Sequence, residues 1–513
     1  MIAYIFRRLG VLSVILFGSS FILFNLAAIS GDPLEGLRTS TEPNAKQQIL
    51  NLTRELQLDV PPPLRYFLWL KGILGAFTGN IDFGKTRDAQ LVTSAISTAI
   101  PTTIRLVFLA TITAIVLGIT IGIITALRQY SRFDYAMTFV SFLMFSLPIF
   151  WVAVLLKEFL AIQFNNFLAN PQIPLTWIIG LSVVNGVIWA AIVSGSRRRV
   201  QQIFVVVAVG TAALLTILSL TSWFAKPGLG PIFVFAISIG IAFGVTQLST
   251  GLQNKSALRS SQVMAVICLL LYYPNQWLFD HHASLTLILG LLMLTIVIAI
   301  VVGLNFAKID RGPTVRTAII SGFLMGLIIL LDRYMQTWYP YMSTDAINYR
   351  PIPTTGQVNP LLEPGNFWFS SLDILVHMIL PTIALTLISF AGYIRYSRGT
   401  LLEVLNQDYI RTARAKGLNE RTVIMRHAFR NTMIPLTTIM VVDFAGLIGG
   451  AIITERVFGW IGMGTLFNQA INSFDLNLLM AVFFITASLS VFANLVADLL
   501  YSALDPRIRA GKG

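Results

Sequence analysis

A short basic segment from Asp408 to Leu418 holds the densest group of residues in this chain that could recognise another molecule. It lies between two strongly apolar stretches, with one acidic residue at its start, three basic residues later and a glycine near its end. This order complements the helix macrodipole, and Gly417 is a common helix terminator. With Asn406 as the N-cap, the pattern predicts a helix of about ten residues, roughly 15 Å long. Such a segment is typical either of an ordinary basic loop or of a surface on which another protein docks.

The residues that follow predict a second, shorter helix. Asn419 can cap it, Arg430 ends it, and Pro435 then opens the next apolar stretch. On the first helix, Ala415 and Gly417 would let a partner approach closely. The residues expected to share one face of that helix are Tyr409, Ile410 and Ala413.

A second motif, Gly79 to Thr86, fits the phosphate-loop pattern GxxxxGK[ST]. That motif binds phosphate only when a strand precedes it and a helix follows it, with an acidic magnesium-binding strand elsewhere. Here an amphipathic helix from Leu64 to Leu74 is predicted before it, and no nucleotide-binding domain follows. We therefore predict a turn in a loop and no ATP hydrolysis by this chain.

Asp443 is an isolated carboxylate within an apolar stretch. An uncompensated charge inside a bilayer costs several kcal/mol, so we expect it to face the interior of the helix bundle. It is either a polar group on a substrate path or a packed residue at a subunit contact. The four histidines are scattered and Cys268 is the single cysteine, which argues against a metal site built by this chain.

Composition sets the class of protein. Of 513 residues, 55% are hydrophobic and 12% are charged, which indicates a helical membrane protein that crosses the bilayer many times. The formal charge of +13 would suit nucleic acid, but the basic residues sit between apolar stretches and not on one soluble face. They are better explained as loops on the cytoplasmic side, and no nucleic-acid partner is expected.

A bilayer span needs about 20 apolar residues in a helix. Twelve stretches qualify. Most of the Lys and Arg residues fall on one side of the alternating spans, which predicts that both termini are cytoplasmic. The predicted spans are 9–29, 106–127, 135–160, 174–194, 201–223, 230–250, 261–279, 284–306, 317–334, 374–394, 434–454 and 478–503.

Several motifs resemble one family in the right order along the chain. Residues 408–418 read DYIRTARAKGL and are similar to the coupling loop of membrane permeases of ABC importers, in the version of the dipeptide, oligopeptide and nickel group. Together the matching pieces cover about 1–165 and 368–513. The others are RRL at 7–9, GDP at 31–33, SLPIFW at 146–151, His377 with LP at 380–381, RHAFRN at 426–431, GGA at 449–451 with Glu455 and Phe458, and DPRIR at 505–509.

The resemblance implies a function and a set of partners. It implies an ATP-driven, binding-protein-dependent importer in the bacterial inner membrane, with a second homologous permease, two cytoplasmic ATPase subunits and an extracytoplasmic substrate-binding protein. ATP and Mg²⁺ would be bound by the ATPases, and this chain would carry no cofactor. The residues implied to couple to the ATPases are Asp408, Tyr409, Arg411, Thr412, Ala413, Arg414, Ala415, Lys416, Gly417 and Leu418. Asp443 is the candidate on the substrate path.

The match has departures. The broader ABC-importer loop reads Glu-Ala-Ala-x-x-x-Gly, whereas Arg411, Thr412, Ala413 and Gly417 occupy those positions here, as in the peptide branch. The resemblance also implies a type I permease core of six spans, and this chain has about six more. We predict an N-terminal core part at 1–170 with three spans and an external loop at 30–105, an inserted membrane region at 171–367, and a C-terminal core part at 368–513 with the coupling loop at 396–433. The insert is expected to form a peripheral helical layer.

Two rival interpretations remain. A twelve-span secondary transporter driven by an ion gradient would be expected to have two related halves, and only one half here has the coupling segment. The second rival is a membrane scaffold that has lost transport. The substrate, whether peptide, nickel chelate, glutathione or oligosaccharide, cannot be read from these residues, nor can the role of the insert.

Overall fold

The computed structural model describes residues 2–39, 41, 43–75, 79–193, 195–307 and 311–504. By contacts between Cα atoms the chain divides into two units. The first unit comprises Met1–Leu160, Thr354–Gln357 and Met378–Gly513. The second unit comprises Ala161–Pro353 and Val358–His377. The DPRIR motif at 505–509 lies outside the described residues.

All named secondary-structure elements in the described part of the first unit are helices. Its N-terminal helices are α1 (Ile2–Ser30), α2 (Glu35–Arg38), α3 (Ala45–Glu55), α4 (Pro62–Leu74), α5 (Val92–Leu127), α6 (Arg132–Ser146) and α7 (Ile149–Leu156). The six-residue π-helix π1 (Lys157–Ile162) then leads towards the second unit. The C-terminal helices, after the second half of α15 (Phe367–Leu405), are α16 (Asp408–Ala415), α17 (Glu420–Thr422), π2 (Val423–Ala428), α18 (Phe429–Gly450), α19 (Ile452–Phe458), α20 (Met463–Asn472) and α21 (Leu476–Leu504).

The second unit contains three helical hairpins. It contains α8 (Gln163–Ala169), α9 (Leu175–Val193), α10 (Arg197–Leu220), α11 (Gly230–Ser249), α12 (Lys255–His281), α13 (Leu285–Phe306) and α14 (Arg311–Met342). Helices α9 and α10, α11 and α12, and α13 and α14 pack as pairs. The buried carboxylate of Asp332 on α14 accepts hydrogen bonds from Leu229 N at 2.6 Å and from Gln336 Nε2 at 2.9 Å. Asp332 therefore ties the start of α11 to α14.

Eleven helices in the described ranges are long and apolar enough to cross a membrane. They are Phe6–Ser30, Val92–Leu127, Ile149–Ala169, Leu175–Val193, Arg197–Leu220, Gly230–Ser249, Lys255–His281, Leu285–Phe306, Arg311–Met342, Phe367–Leu405 and Leu476–Leu500. The predicted span 434–454 falls on α18, which is not among the eleven. The all-helical, multi-span architecture is confirmed, whereas the count of twelve and the side on which the termini lie stay predictions.

One predicted span is placed differently by the structure, and two predicted loop segments are partly helical. The predicted span 135–160 is interrupted at Leu147 and Pro148, and the candidate span is Ile149–Ala169. Proline has no N–H to donate and holds the preceding residue in extended backbone, which ends α6 at Ser146. The loop predicted at 30–105 ends earlier, because α5 begins at Val92 and continues through Pro101. The coupling loop predicted at 396–433 is flanked by helix on both sides, since α15 runs to Leu405 and α18 starts at Phe429.

Two glycines allow α5 to pack closely on α15 in the first unit. A Cβ atom on Gly122 would lie 1.8 Å from Ser397 Oγ, and one on Gly118 would lie 2.5 Å from the Cβ of Tyr393. Beside them, the buried carboxylate of Asp134 accepts two hydrogen bonds from Arg398, at 2.9 and 3.0 Å. These contacts fix the end of α15 that leads into the basic segment.

Candidate docking surface

The basic segment forms α16, eight residues from Asp408 to Ala415. Its N-cap is Gln407, with extended backbone (ψ 148°) and no side-chain capping bond, so the prediction of Asn406 as N-cap is wrong. Asn406 Nδ2 instead donates to the carbonyl of Leu402 at 3.0 Å. That bond satisfies a free carbonyl at the C-terminus of α15, where such groups lack helical partners.

One narrow face of α16 is buried. Ile410 is fully buried and Ala413 is 7% exposed. They pack in a small apolar cluster with Ala126, Leu401, Val423 and Ala428. Tyr409, predicted on the same face, is 38% exposed, and its hydroxyl accepts a hydrogen bond from Asn431 Nδ2 at 2.8 Å. The cluster seats α16 on α5, α15 and π2 by its apolar side alone.

The C-terminus of α16 is closed by a left-handed residue. Gly417 has φ +75° and its N–H donates to the carbonyl of Arg414 at 2.9 Å. The N–H of Leu418 reaches back to the carbonyl of Ala413 at 3.4 Å, which is the hydrogen-bond pattern of a Schellman motif. A Cβ on Gly417 would meet nothing within 4 Å. Within this chain Gly417 is therefore required for its backbone angle and not for a close approach.

The polar side of α16 is exposed and carries net positive charge. Arg414 donates to Glu420 at 2.7 and 3.2 Å, and Arg411 lies 3.6 Å from Asp408. Hydrogen bonding to Arg414 lowers the pKa of the Glu420 carboxyl. Of the ten residues implied to couple, all but Ala413 are exposed: Asp408, Tyr409, Arg411, Thr412, Arg414, Ala415, Lys416, Gly417 and Leu418.

The segment after α16 differs in part from prediction. Asn419 caps the next helix as expected, its Oδ1 accepting from Arg421 N at 3.0 Å. That helix does not end at Arg430, because α17 continues through π2 into α18. Pro435 consequently lies inside α18 and does not open it. The sequence did not predict that Glu420 and Asn431 contact α16. Glu420 lies 6 residues from Arg414 and Asn431 lies 22 residues from Tyr409, and both separations fall outside helical spacing.

Asp443 lies on α18, and its side chain is exposed in the single chain, so residues of this chain alone do not enclose it. It interacts with the hydroxyl of Tyr393, a buried residue on α15. A carboxylate at this depth needs a protein neighbour or water to cover it.

The phosphate-loop pattern occupies irregular backbone. Gly79 and Gly84 have φ of +85° and +83°, and the N–H of Val92 donates to the carbonyl of Gly84 at 3.1 Å. Lys85 pairs with Glu55 at 2.9 Å. No helix begins within the described residues between Gly79 and Leu91. The stretch therefore forms turns in irregular backbone, in agreement with the turn that the sequence predicts.

The many apolar helices of spanning length define a multi-span membrane protein, and the exposed basic helix α16 is its candidate docking surface. Residues 118–510 match the family described as binding-protein-dependent transport system inner membrane component. The chain belongs to this family and is a multi-pass inner-membrane protein.

Curated relatives are named as peptide permeases. The chain is 36% identical over 187 residues to the oligopeptide transport system permease protein OppB of Mycobacterium tuberculosis (strain ATCC 25618 / H37Rv), covering 36% of this chain and 55% of that protein. It is 38% identical over 206 residues to the oligopeptide permease AppB of Bacillus subtilis (strain 168), covering 40% and 60%. It is 43% identical over 150 residues to the dipeptide permease DppB of Escherichia coli (strain K12), covering 29% and 43%. The chain thus spans about half the length of these relatives, and the resemblance to permeases of peptide-type ABC importers is confirmed.

Proposed function

We propose that this chain is the membrane permease subunit of an ATP-driven importer of peptides or similar small solutes. The main support for this proposal is the burial pattern of the basic helix α16. Only Ile410 and Ala413 pack against the rest of the chain, and the other residues of the helix are exposed. Its seat is built from residues of α5, α15 and π2, so a force on α16 would be passed directly to these helices. Such a helix converts the movement of a docked protein into movement of membrane spans.

The proposed partners follow from the family and the named relatives. Two cytoplasmic ATPase subunits would bind ATP and Mg²⁺, and one of them would receive α16. A second homologous permease would complete the membrane pore, and an extracytoplasmic substrate-binding protein would deliver the solute. Both termini of this chain would be cytoplasmic, on the same side as α16. The region 171–367 would be an addition to a six-span permease core.

The test of the docking surface is affinity purification of the tagged chain from mild detergent, followed by mass spectrometry. The variant Arg411→Glu, Lys416→Glu changes two exposed charges and no buried side chain, so the chain should fold normally. We expect recovery of ATPase subunits to fall at least about tenfold with this variant, because charge reversal at an interface places like charges together.

The matched control is Lys255→Glu, an exposed basic residue at the start of α12 in the second unit. It should leave recovery of the ATPases unchanged. If the wild-type chain purifies without ATPases and transports solute on an ion gradient, the chain is instead a secondary transporter and the proposal is wrong.

We propose in addition that Asp443 lines the substrate path. Asp443 is exposed on α18 in the single chain, so it is free to face a solute or a second permease, and the experiment below separates the two roles. Asp443→Asn should lower solute uptake by the assembled importer while both permeases and the ATPases still co-purify. Loss of the second permease on this substitution would place Asp443 at the subunit contact instead.

A further inference from the structure

A large cavity of about 720 Å³ lies in the first unit, away from α16 and Asp443. Its walls come from the C-terminal end of α1, from α3, from the turn before α4, from α4 itself and from residues 474–477. Gly31 lies in the wall, where the ring of Phe474 packs so closely that a Cβ atom would come within 1.9 Å of it. The cavity is large enough for a small organic ligand, since such sites measure about 300–1,000 Å³.

Arg65 on α4 lines this cavity and also a smaller one of about 130 Å³ beside it. Its side chain is 8% exposed, and its Nε atom has no hydrogen-bond partner in the described part of the chain. The guanidinium carbon lies 5.8 Å from the centre of the Phe24 ring. Burial lowers the pKa of the Arg65 guanidinium, which nonetheless stays charged at neutral pH. A buried charge of this kind is costly unless an anion pairs with it.

Four acidic residues line the two cavities, and none of them pairs with Arg65. Asp59 lines the larger cavity and forms no ion pair among the described residues, and Asp82 in the smaller one accepts from Gly84 N at 2.8 Å. Asp32 pairs with Arg38 at 3.1 Å and also accepts from Leu34 N at 2.9 Å. Beside the smaller cavity, Glu55 pairs with Lys85 at 2.9 Å. Among the described residues, none provides a carboxylate within ion-pair distance of Arg65. A bound anionic molecule could supply the partner that this chain does not provide for Arg65.

The surroundings of the cavity are those of a membrane surface. Helix α4, which carries Arg65, also exposes apolar side chains, with Leu64 59% and Phe67 50% exposed. On α1, Leu26 is 62% and Ile29 is 76% exposed, next to the cavity wall at Ala27 and Ala28. Exposed apolar residues on a short helix beside the end of a membrane span mark the boundary between hydrocarbon and headgroups. At this depth the abundant anion is the phosphate of a phospholipid.

We propose that this cavity binds the phosphate group of a membrane phospholipid, with the Arg65 guanidinium donating paired hydrogen bonds to the phosphate oxygens. A guanidinium is suited to this role because its planar fork matches two oxygens of a phosphate. The ligand would anchor α4 to the end of α1 at the membrane surface. This site is independent of the proposed transport function.

The test is native mass spectrometry of the purified chain after extensive washing in detergent and re-addition of phosphatidylglycerol. We expect wild type to retain a phospholipid and Arg65→Gln to retain about tenfold less, since a hydrogen bond to a charged group contributes enough for that factor. Arg65→Lys keeps the charge without the fork and should fall between them. The matched control Arg54→Gln changes an exposed arginine of α3 that does not line the cavity, and it should retain lipid as wild type does.

Two further measurements identify the source of the phosphate and guard against misfolding. Hydrogen exchange of residues 62–74 in the wild-type chain should slow on addition of phosphatidylglycerol and not on addition of inorganic phosphate. Slowing by inorganic phosphate or by a dipeptide, without retained lipid, would overturn the proposal. Equal lipid retention by Arg65→Gln, or no change in exchange with phosphatidylglycerol, would also overturn it.

Discussion

Gly417 ends the docking helix in backbone that favours glycine, with φ +75° and open space where a Cβ would point. Gly417→Ala should therefore add only backbone strain, about 1–2 kcal/mol, and fray the last turn of α16. Asparagine tolerates this conformation, so Gly417→Asn is the matched control. We expect faster amide exchange at 414–418 and weaker recovery of ATPases for Gly417→Ala than for Gly417→Asn. Equal behaviour of the two variants would show that the backbone angle does not matter.

Gly122 tests the contact between α5 and α15. A Cβ there would lie 2.8 Å from the carbonyl oxygen of Ile394, a backbone atom, so the helices must move apart. Gly122→Ala should lower the free energy of unfolding by about 1–3 kcal/mol, measured by thermal unfolding in detergent. Gly18→Ala is the control, because Gly18 is also inside a helix and has nothing within 4 Å of its Cβ position. A loss of similar size in both variants would contradict this packing argument.

Single residues were predictable from the sequence where the cause is local. Gly417 as a terminator and Asn419 as a cap both depend on neighbours within three residues, and both are confirmed. The predictions for Asn406 and Pro435 were wrong because each depends on where the flanking helix stops. The lack of a partner for Arg65 could not be predicted, since it follows from which acidic residues the fold brings near.

At the scale of elements, the pair Arg414 and Glu420 joins the end of α16 to the start of α17. Glu420→Gln should remove the charge-assisted bonds and speed amide exchange of residues 416–419 about two- to fivefold, as befits an exposed ion pair. Glu403→Gln, an exposed glutamate on α15, is the control. Unchanged exchange in Glu420→Gln would show that the pair does not restrain the turn.

The same pair has a defined pH dependence. The folded chain lowers the pKa of Glu420, so its stabilisation is fully present above the ordinary carboxyl pKa and is lost as pH falls through the lowered value. Exchange of residues 416–419 should therefore be insensitive to ionisation of Glu420 at neutral pH and should rise only in acid, beyond the intrinsic pH effect. In Glu420→Gln this additional acid-induced rise should be absent.

Elements with a strong local pattern were predicted well. The amphipathic helix at 64–74 is present as α4, and the hairpins of the second unit fall where hydropathy places them. The break at Pro148 was missed because hydropathy is continuous across it, although the proline itself was a usable signal. The early start of α5 was missed because its first turns, from Val92 to Pro101, contain polar residues that an apolar window rejects.

At the scale of the whole molecule, the sidedness of the chain can be tested because Cys268 is the single cysteine and is buried. In a Cys268→Ser background, Arg128→Cys should react with a membrane-impermeant maleimide only after the membrane is opened. Asn80→Cys should react in intact cells, because the loop before α5 is proposed to face outward. Both positions are exposed, so a difference in labelling reports sidedness and not burial. Reaction of both residues in intact cells would contradict the proposed topology.

The seating of α16 has a consequence for how this protein can change over generations. The structure describes all eight residues of α16. Only Ile410 and Ala413 are buried, and the other six are exposed. A substitution at those six positions changes no buried side chain, and within this chain it affects only surface bonds such as those of Tyr409 and Arg414. The fit to a docked protein would then be the main constraint on these residues. We therefore expect substitutions at the exposed residues of α16 to be correlated, across related proteins, with substitutions on the surface of the proposed ATPase partner.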